Sequence, residues 1–324
     1  MPTAVVLRNA VAAAVMAPSS HNTQPWRFKI VDDALHLYAD PKRQLLVIDR
    51  DFRQLVESCG CALMNARVAI RAMGYDSQLT VMLADGDLPT HLATLRLGPS
   101  RTPTTTDHEL MRAIGRRGTN RRTFLARPIA APFAELLEML ARNEGVALVR
   151  LDPSQKDALA DLVARADSQQ LADPAFRDEL TSWLASPGSQ RRDGIPFEEK
   201  EYGSARASAL SPTMHSPALG DLFATLEQSL VRGAPAVIVL ATRDDSPPSW
   251  LACGQALQSI LLHATMYGYG GAFLNQVLEI PELRTRVSRL ANVGCPQMIL
   301  RIGVPAEPIE RVAPRRDLAD VLDS

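Results

Sequence analysis

Several signals are missing from this sequence, and each omission removes a class. No apolar run among its 324 residues reaches the roughly 18 that cross a bilayer as a helix, so no membrane partner is expected. Only 4 cysteines occur, too few in a chain of this length for a disulfide scaffold. The formal net charge is −1, without the basic surplus that neutralises nucleic-acid phosphates, so no nucleic-acid partner is expected either. There is no metalloprotease helix motif, no phosphate-loop lysine and no Ser-centred hydrolase elbow. A glycine-rich run, "YGYGGAF" (267–273), fails as a dinucleotide fingerprint. Counted from Gly268 and Gly270, its third glycine falls on Phe273, and the run follows a helical pattern rather than a strand. Cys59 and Cys61 stand two apart on a helical pattern and face different sides, so they read as core rather than as joint metal ligands.

What is present is enough for a sizeable core: 46% of residues are apolar, and the length suggests about two domains. The start, "MPTAVVLRNAVAAAVMAPSS", has no positive leader, and Arg8 and Asn9 interrupt its apolar stretch. It reads as an amphipathic helix of a soluble, cytoplasmic protein.

The chain repeats itself. Residues 57–75, "ESCGCALMNARVAIRAMGY", align without gaps with 251–269, "LACGQALQSILLHATMYGY", at a constant offset of 194. Cys59, Gly60, Ala62, Leu63, Gly74 and Tyr75 match Cys253, Gly254, Ala256, Leu257, Gly268 and Tyr269. Both are long helical patterns closed by Gly-Tyr, where glycine can take the left-handed terminating conformation. Strand patterns flank both: "LHLYAD" (35–40) and "AVIVLATRDD" (236–245) before, "LATLRLG" (92–98) and "QMILRIG" (297–303) after. The second copy carries an extra helical piece, "IPELRTRVSRLANVG". The expectation is an α+β chain of two related halves, residues 1–105 and 106–324, joined by the loop-like "PSRTPTTTDHE" (99–109). A fused pair imitates a homodimer, with the two long helices packed centrally and sites between the halves. The second half also holds helical stretches at 154–171 and 175–185, then a long polar piece at 186–217 that reads as a lid or wrapping arm.

Three polar clusters stand out. "APSSHNTQPWRF" (17–28) brings Pro18, Ser19, Ser20, Asn22 and Gln24 into one turn, more hydrogen-bonding groups than capping a helix requires. His21 lies among them, with structural and functional roles both open. "RRGTNRRTF" (116–124) alternates arginine and threonine around Gly118. It is either a solvated basic face or a phosphate cradle of forked guanidinium bonds, hydroxyl and approachable backbone. "APRRDLADVL" (313–322) places Arg315 and Arg316 in what is otherwise an exposed tail.

Together these segments resemble the FMN-dependent nitroreductase family, and the whole chain from residue 10 to 322 resembles its fused twin-domain, Acg-type branch. "APSSHNTQPWRF" resembles that family's Pro-Ser-Ser-x-Asn-x-Gln-Pro-Trp signature. Residues 117–121 resemble its Arg-x-Ser-x-Arg motif with Thr119 in place of Ser. The tail resembles its basic C-terminal end. The resemblance implies that Arg117, Gly118, Thr119, Arg121 and one of Arg315 or Arg316 hold an FMN phosphate. It implies that Pro18, Ser19, Ser20, Asn22 and Gln24 border the flavin. In "AFLNQ" (272–276), Leu274 or Asn275 would stand where the family brings a backbone N–H to flavin N5, although the usual Pro-x-Glu-Gly pattern is absent. The turn occurs only in the first half and the arginine motif only in the second, so one FMN per chain is implied, where a homodimer would hold two. A ping-pong cycle follows from the family: NAD(P)H delivers electrons, then a small nitro or quinone-like acceptor removes them. The alternative is an FMN-storing protein shielded by the arm. The implied assembly is a monomeric pseudo-dimer or a weak homo-oligomer.

Overall fold

The computed structural model describes residues 1–83, 90–185, 188–196, 217–309 and 313–323. In chain order the first half supplies helix α1 (Thr3–Ala14), strands β1 (Trp26–Val31) and β2 (Ala34–Ala39), helix α2 (Arg53–Ala72), and strands β3 (Tyr75–Val81) and β4 (His91–Ser100). Next come α3 (Thr105–Arg116), α4 (Ala131–Asn143), β5 (Ala147–Arg150), α5 (Pro153–Ala172), α6 (Pro174–Trp183), and the short strands β6 (Leu184–Ala185) and β7 (Ile195–Pro196). The chain continues through α7 (Pro217–Arg232), β8 (Ala236–Thr242), α8 (Pro247–Met266), β9 (Gly270–Phe273), α9 (Pro281–Ala291) and β10 (Cys295–Gly303). It ends in α10 (Leu318–Val321) and β11 (Leu322–Asp323).

Two sheets carry the duplication. The first runs β11-β1-β2-β4-β3 and the second β5-β8-β10-β9. Without β11 the two orders correspond strand for strand, with α1 before β1 matching α4 before β5, and α2 matching α8. Gly74 (φ +86) and Gly268 (φ +78) end the two long helices in the left-handed conformation, as the Gly-Tyr repeat requires. Where the first half has only the Asp32-Asp33 turn between β1 and β2, the second inserts α5 to α7 between β5 and β8. The last strand crosses over: β11 pairs parallel with β1, Phe28 opposite Leu322, and so closes the first sheet. Most of the 186–217 piece, residues 197–216, lies outside the described residues.

The proline- and threonine-rich linker is shorter than its composition suggests. β4 runs to Ser100, and α3 begins at Thr105. Thr104 accepts from the Asp107 backbone N–H while Asp107 accepts in return, a capping box that turns the threonine run into the first turn of a helix.

The central helices are buried along almost their whole length, and α2 buries polar groups such as Gln54, Ser58 and Asn65 along with its apolar ones. Their backbones meet at the repeated glycines. A Cβ on Gly60 would stand 2.3 Å from the Leu251 carbonyl oxygen, and one on Gly254 would stand 2.0 Å from that of Glu57. Cys61 Sγ donates to the Gly254 carbonyl at 3.2 Å, and Gln258 donates to Asn65 Oδ1 at 2.6 Å. The main core spans both sheets and this helix pair, and a second fills the space between β8, β10 and helices α5 and α9.

Gly254→Ala places a methyl group inside a main-chain carbonyl, so the helices must separate. It should cost at least about 1–3 kcal/mol, read as a lower urea midpoint at unchanged m-value; an unchanged midpoint would contradict the contact. Glu57, at the same crossing, has no exposed surface. Burial, only partly offset by Arg53, pushes its carboxyl up to about 8. Between pH 4.5 and 8 the folded chain therefore holds a proton that the unfolded chain releases, and stability falls as pH rises through that window. Glu57→Gln should gain on the parent by up to about 1.4 kcal/mol per pH unit there, measured by denaturation from pH 5 to 8. A pH-independent difference would refute the shift.

Candidate functional site

The polar turn after α1 is strained and heavily tied. His21, Asn22 and Gln24 all have positive φ, at 49°, 54° and 51°, a conformation that non-glycine residues adopt only when contacts hold them there. Ser19 Oγ accepts from the Gln24 backbone N–H at 2.9 Å, and Ser20 Oγ donates to Gln54 of α2 at 2.6 Å. Asn22 Nδ2 donates to the carbonyls of Gly194 (3.0 Å) and Pro314 (3.2 Å), while its Oδ1 accepts from Arg315 at 2.9 Å. Gln24 Nε2 donates to the Arg192 carbonyl at 2.7 Å, and its Oε1 accepts from the Arg316 backbone N–H at 2.8 Å. The surplus of polar groups thus joins three distant segments: α2, the start of the 186–217 piece, and the C-terminus.

The arginine segment follows α3 and forms an edge to the second sheet. Thr119 bridges in parallel to Gly271, and the Asn120 backbone N–H donates to the Gly271 carbonyl at 2.9 Å. This brings Arg117, Gly118, Thr119 and Arg121 to a cavity of about 330 Å³, within the usual range for small-molecule sites. Pro18, Ser19, Ser20 and Asn22 face the same cavity from the first half, as does Arg315 from the C-terminal segment. The cavity therefore straddles the two halves. Helix α2 contributes Gln54, Ser58 and Cys61, and the other side mixes apolar groups, Leu171, Phe176, Leu180, Ile195 and Phe223, with the buried polar groups Asp167, Gln170 and Glu227.

Three of the residues singled out in the sequence do not border the cavity, two of them members of pairs between which the sequence left the choice open. Gln24 is fully buried and braces the turn without reaching the cavity. Arg316 turns away: its guanidinium donates to the Gln24 carbonyl at 3.2 Å and the Asp320 carbonyl at 2.6 Å, so of the tail pair only Arg315 borders the cavity. Leu274 is fully buried in the second core, and its backbone N–H donates to the Ile299 carbonyl at 2.9 Å, so that amide is already engaged. Asn275 does border the cavity.

Sequence reasoning missed several lining groups. Cys61, read as core, faces the cavity, with burial pushing its thiol well above the ordinary range. Glu279 accepts from Gln54 at 2.9 Å and from Gln170 at 2.6 Å, and burial pushes its carboxyl up. Arg301 also borders the cavity, although it is 2% exposed. Its signal was a lone arginine inside the otherwise apolar strand "QMILRIG". His21 is held down to about 4, by burial first and by Arg121 second, and is neutral near pH 7. The pocket cations are then Arg117, Arg121, Arg301 and Arg315.

The position related by the repeat holds an ion pair. Gln255 is the counterpart of Cys61, and there Arg67 donates to both Glu144 oxygens at 2.9 Å and to Gln255 Oε1 at 2.8 Å. Glu144 belongs to the short turn between α4 and β5, the counterpart of the long polar turn between α1 and β1.

The fold is a pair of related halves with, at their junction, a cavity bordered by four arginines and by Asp167, Glu227 and Glu279. The chain belongs to the nitroreductase family, whose profile matches residues 2–50 and 144–303. It is an oxidoreductase by that membership. It is 32% identical to a Mycobacterium tuberculosis protein named as a candidate NAD(P)H nitroreductase, Rv3131, over 99% of this chain and 92% of that protein. It is 30% identical to acg of the same organism, named likewise, over 99% of this chain and 96% of that one. A solved structure, the FMN and NADPH-dependent nitroreductase NfnB from sphigopyxis sp. strain HMH, aligns at a TM-score of 0.42 and 19% identity. That alignment covers 66% of this chain and 98% of its own. No helix among the described residues is long and apolar enough to cross a membrane.

Gln24→Ala removes a buried amide that joins the turn to both other segments. It should cost about 1–3 kcal/mol and speed hydrogen exchange at the Arg316 backbone amide. Unchanged exchange there would refute the bracing role.

Proposed function

We propose that this chain binds one FMN at the junction and uses it to pass electrons from NAD(P)H to a small nitro or quinone-like acceptor in a ping-pong cycle. The observation that carries the reading is the meeting of the 18–22 turn, the 117–121 segment and Arg315 in one cavity, although they lie far apart in the sequence. The residues fit the group. Four guanidinium groups suit a phosphate, and the buried Arg301 keeps an Nε without a protein acceptor. The apolar wall of Leu171, Phe176, Leu180, Ile195 and Phe223 suits a flat ring system.

When bound, the flavin supplies electron storage and hydride transfer. The protein binds and orients. Arg117, Arg121 and Arg315 offer charge-assisted bonds, Thr119 a hydroxyl, and Gly118 a backbone open to close approach. Pro18, Ser19, Ser20 and Asn22 form the opposing wall from the first half. With the Leu274 amide engaged, the backbone N–H of Asn275 is the candidate donor to flavin N5. The Arg67–Glu144–Gln255 cluster at the repeat-related position supports one flavin per chain. Fusion already supplies the dimer-like interface, so a monomeric assembly goes with this reading.

A second reading, flavin storage with little turnover, is favoured by one feature. Ile195 and Pro196 border the cavity, and Gly194 is held to Asn22 both through its carbonyl and through its backbone N–H at 3.3 Å. A cover over the ring would exclude nicotinamide.

The purified protein should be yellow, with one FMN per chain, and should bleach on anaerobic addition of NADPH. FMN that stays oxidised with NADPH yet is reduced by dithionite would overturn the reductase reading in favour of storage. A colourless protein that cannot be reconstituted would overturn both.

A further inference from the structure

Arg301 presents an electrostatic problem that its described contacts do not solve. It is among the largest fully enclosed side chains in the chain. Its described contacts are slight: Nη1 donates to the Arg122 carbonyl at a long 3.3 Å, and the guanidinium lies 5.3 Å from the Phe124 ring centroid. Its Nε has no hydrogen-bond partner, and among the described residues no carboxylate pairs with it. Burial alone pulls its pKa down to about 10, so it remains a cation at neutral pH. A buried, unpaired charge is costly to desolvate, and it persists where something else compensates it.

The repeat provides an internal control. Arg96 is the matching residue in the Leu-Arg-x-Gly motif of the first half. It is half exposed and pairs with Asp33. The same motif therefore gives a solvated ion pair in one half and an enclosed cation beside the cavity in the other.

The sheet register places Arg301 close to the arginine segment. Arg301 lies opposite Ala272 on β9, and the neighbouring Gly271 bridges to Thr119. Two strand spacings, about 10 Å, separate the Arg301 and Thr119 backbones. Ala272 leaves room for a long side chain to lie across β9, and the bond to Arg122 confirms that the guanidinium reaches the arginine segment.

We propose that Arg301 is a phosphate-binding residue that makes the site select a phosphorylated flavin over riboflavin. This rests on the FMN reading above. The dianionic phosphate supplies the counter-charge that Arg301 lacks, and the enclosed guanidinium gives a charge-assisted bond that riboflavin cannot receive. An exposed arginine would discriminate less, because water would screen it.

The test titrates FMN and riboflavin separately into the flavin-free full-length chain, following flavin fluorescence, for the parent, Arg301→Met and Arg301→Lys. Arg301→Met should weaken FMN binding at least tenfold and leave riboflavin binding unchanged, with Arg301→Lys between parent and Met. Because the apolar variant relieves a buried unpaired charge, the flavin-free Arg301→Met chain should melt no lower than the parent. If FMN and riboflavin weaken equally, or neither weakens, the phosphate role is overturned. If the flavin-free Met variant melts well below the parent, Arg301 is a structural cation and the proposal is likewise overturned. A parent chain that binds neither flavin would overturn the FMN reading itself, a result distinct from either of these.

Discussion

Everything in this molecule hangs on the close crossing of α2 and α8 at Gly60 and Gly254. Each position would bury a Cβ in a main-chain carbonyl of the other helix. Only glycine allows this approach, and the approach fixes how the two sheets face each other. It also aims the cavity side of α2, Gln54, Ser58 and Cys61, at elements of the second half. A wider crossing would pull the 18–22 turn away from the 117–121 segment. The repeated glycine is thus a packing requirement that also shapes the cavity.

The two copies of the repeat differ around the cavity. One copy of the turn after the first helix is long, strained and polar, and the other is short and carries Glu144, which accepts from Arg67, itself bonded to Gln255. The Leu-Arg-x-Gly motif diverged in the same way, into a surface ion pair and an enclosed cation. Arginines from the 117–121 segment, β10 and the C-terminal segment meet at this cavity, together with the carboxylates of Asp167, Glu227 and Glu279. The neutral state of His21 adds no further positive charge.

Much of this was legible in the sequence because it is local or periodic. Glycine at a helix end, alternating apolar strands and a gapless repeat each report the backbone directly. The linker was misjudged because composition cannot separate a loop from a capping box, and Thr104 and Asp107 differ from loop residues only in their reciprocal bonds. The two polar clusters were visible through their unusual density of side-chain donors. Arg301 and Glu279 were not, because a single polar residue in an apolar segment looks the same whether it faces solvent, a carboxylate or a cavity.

The sequence by itself determined the two-half architecture, the central helices and the pairing of a polar turn in one half with an arginine segment in the other. Only the tertiary structure decided which groups face the cavity. It turned Arg315 inward and Arg316 outward, made Gln24 a brace, engaged the Leu274 amide in the sheet and enclosed Arg301. The physical reason is that side-chain direction in irregular segments is set by bonds to residues far away in the chain. Asn22 and Gln24 take their conformation from Gly194, Arg192 and the C-terminal segment, and neighbours in sequence carry no record of such partners.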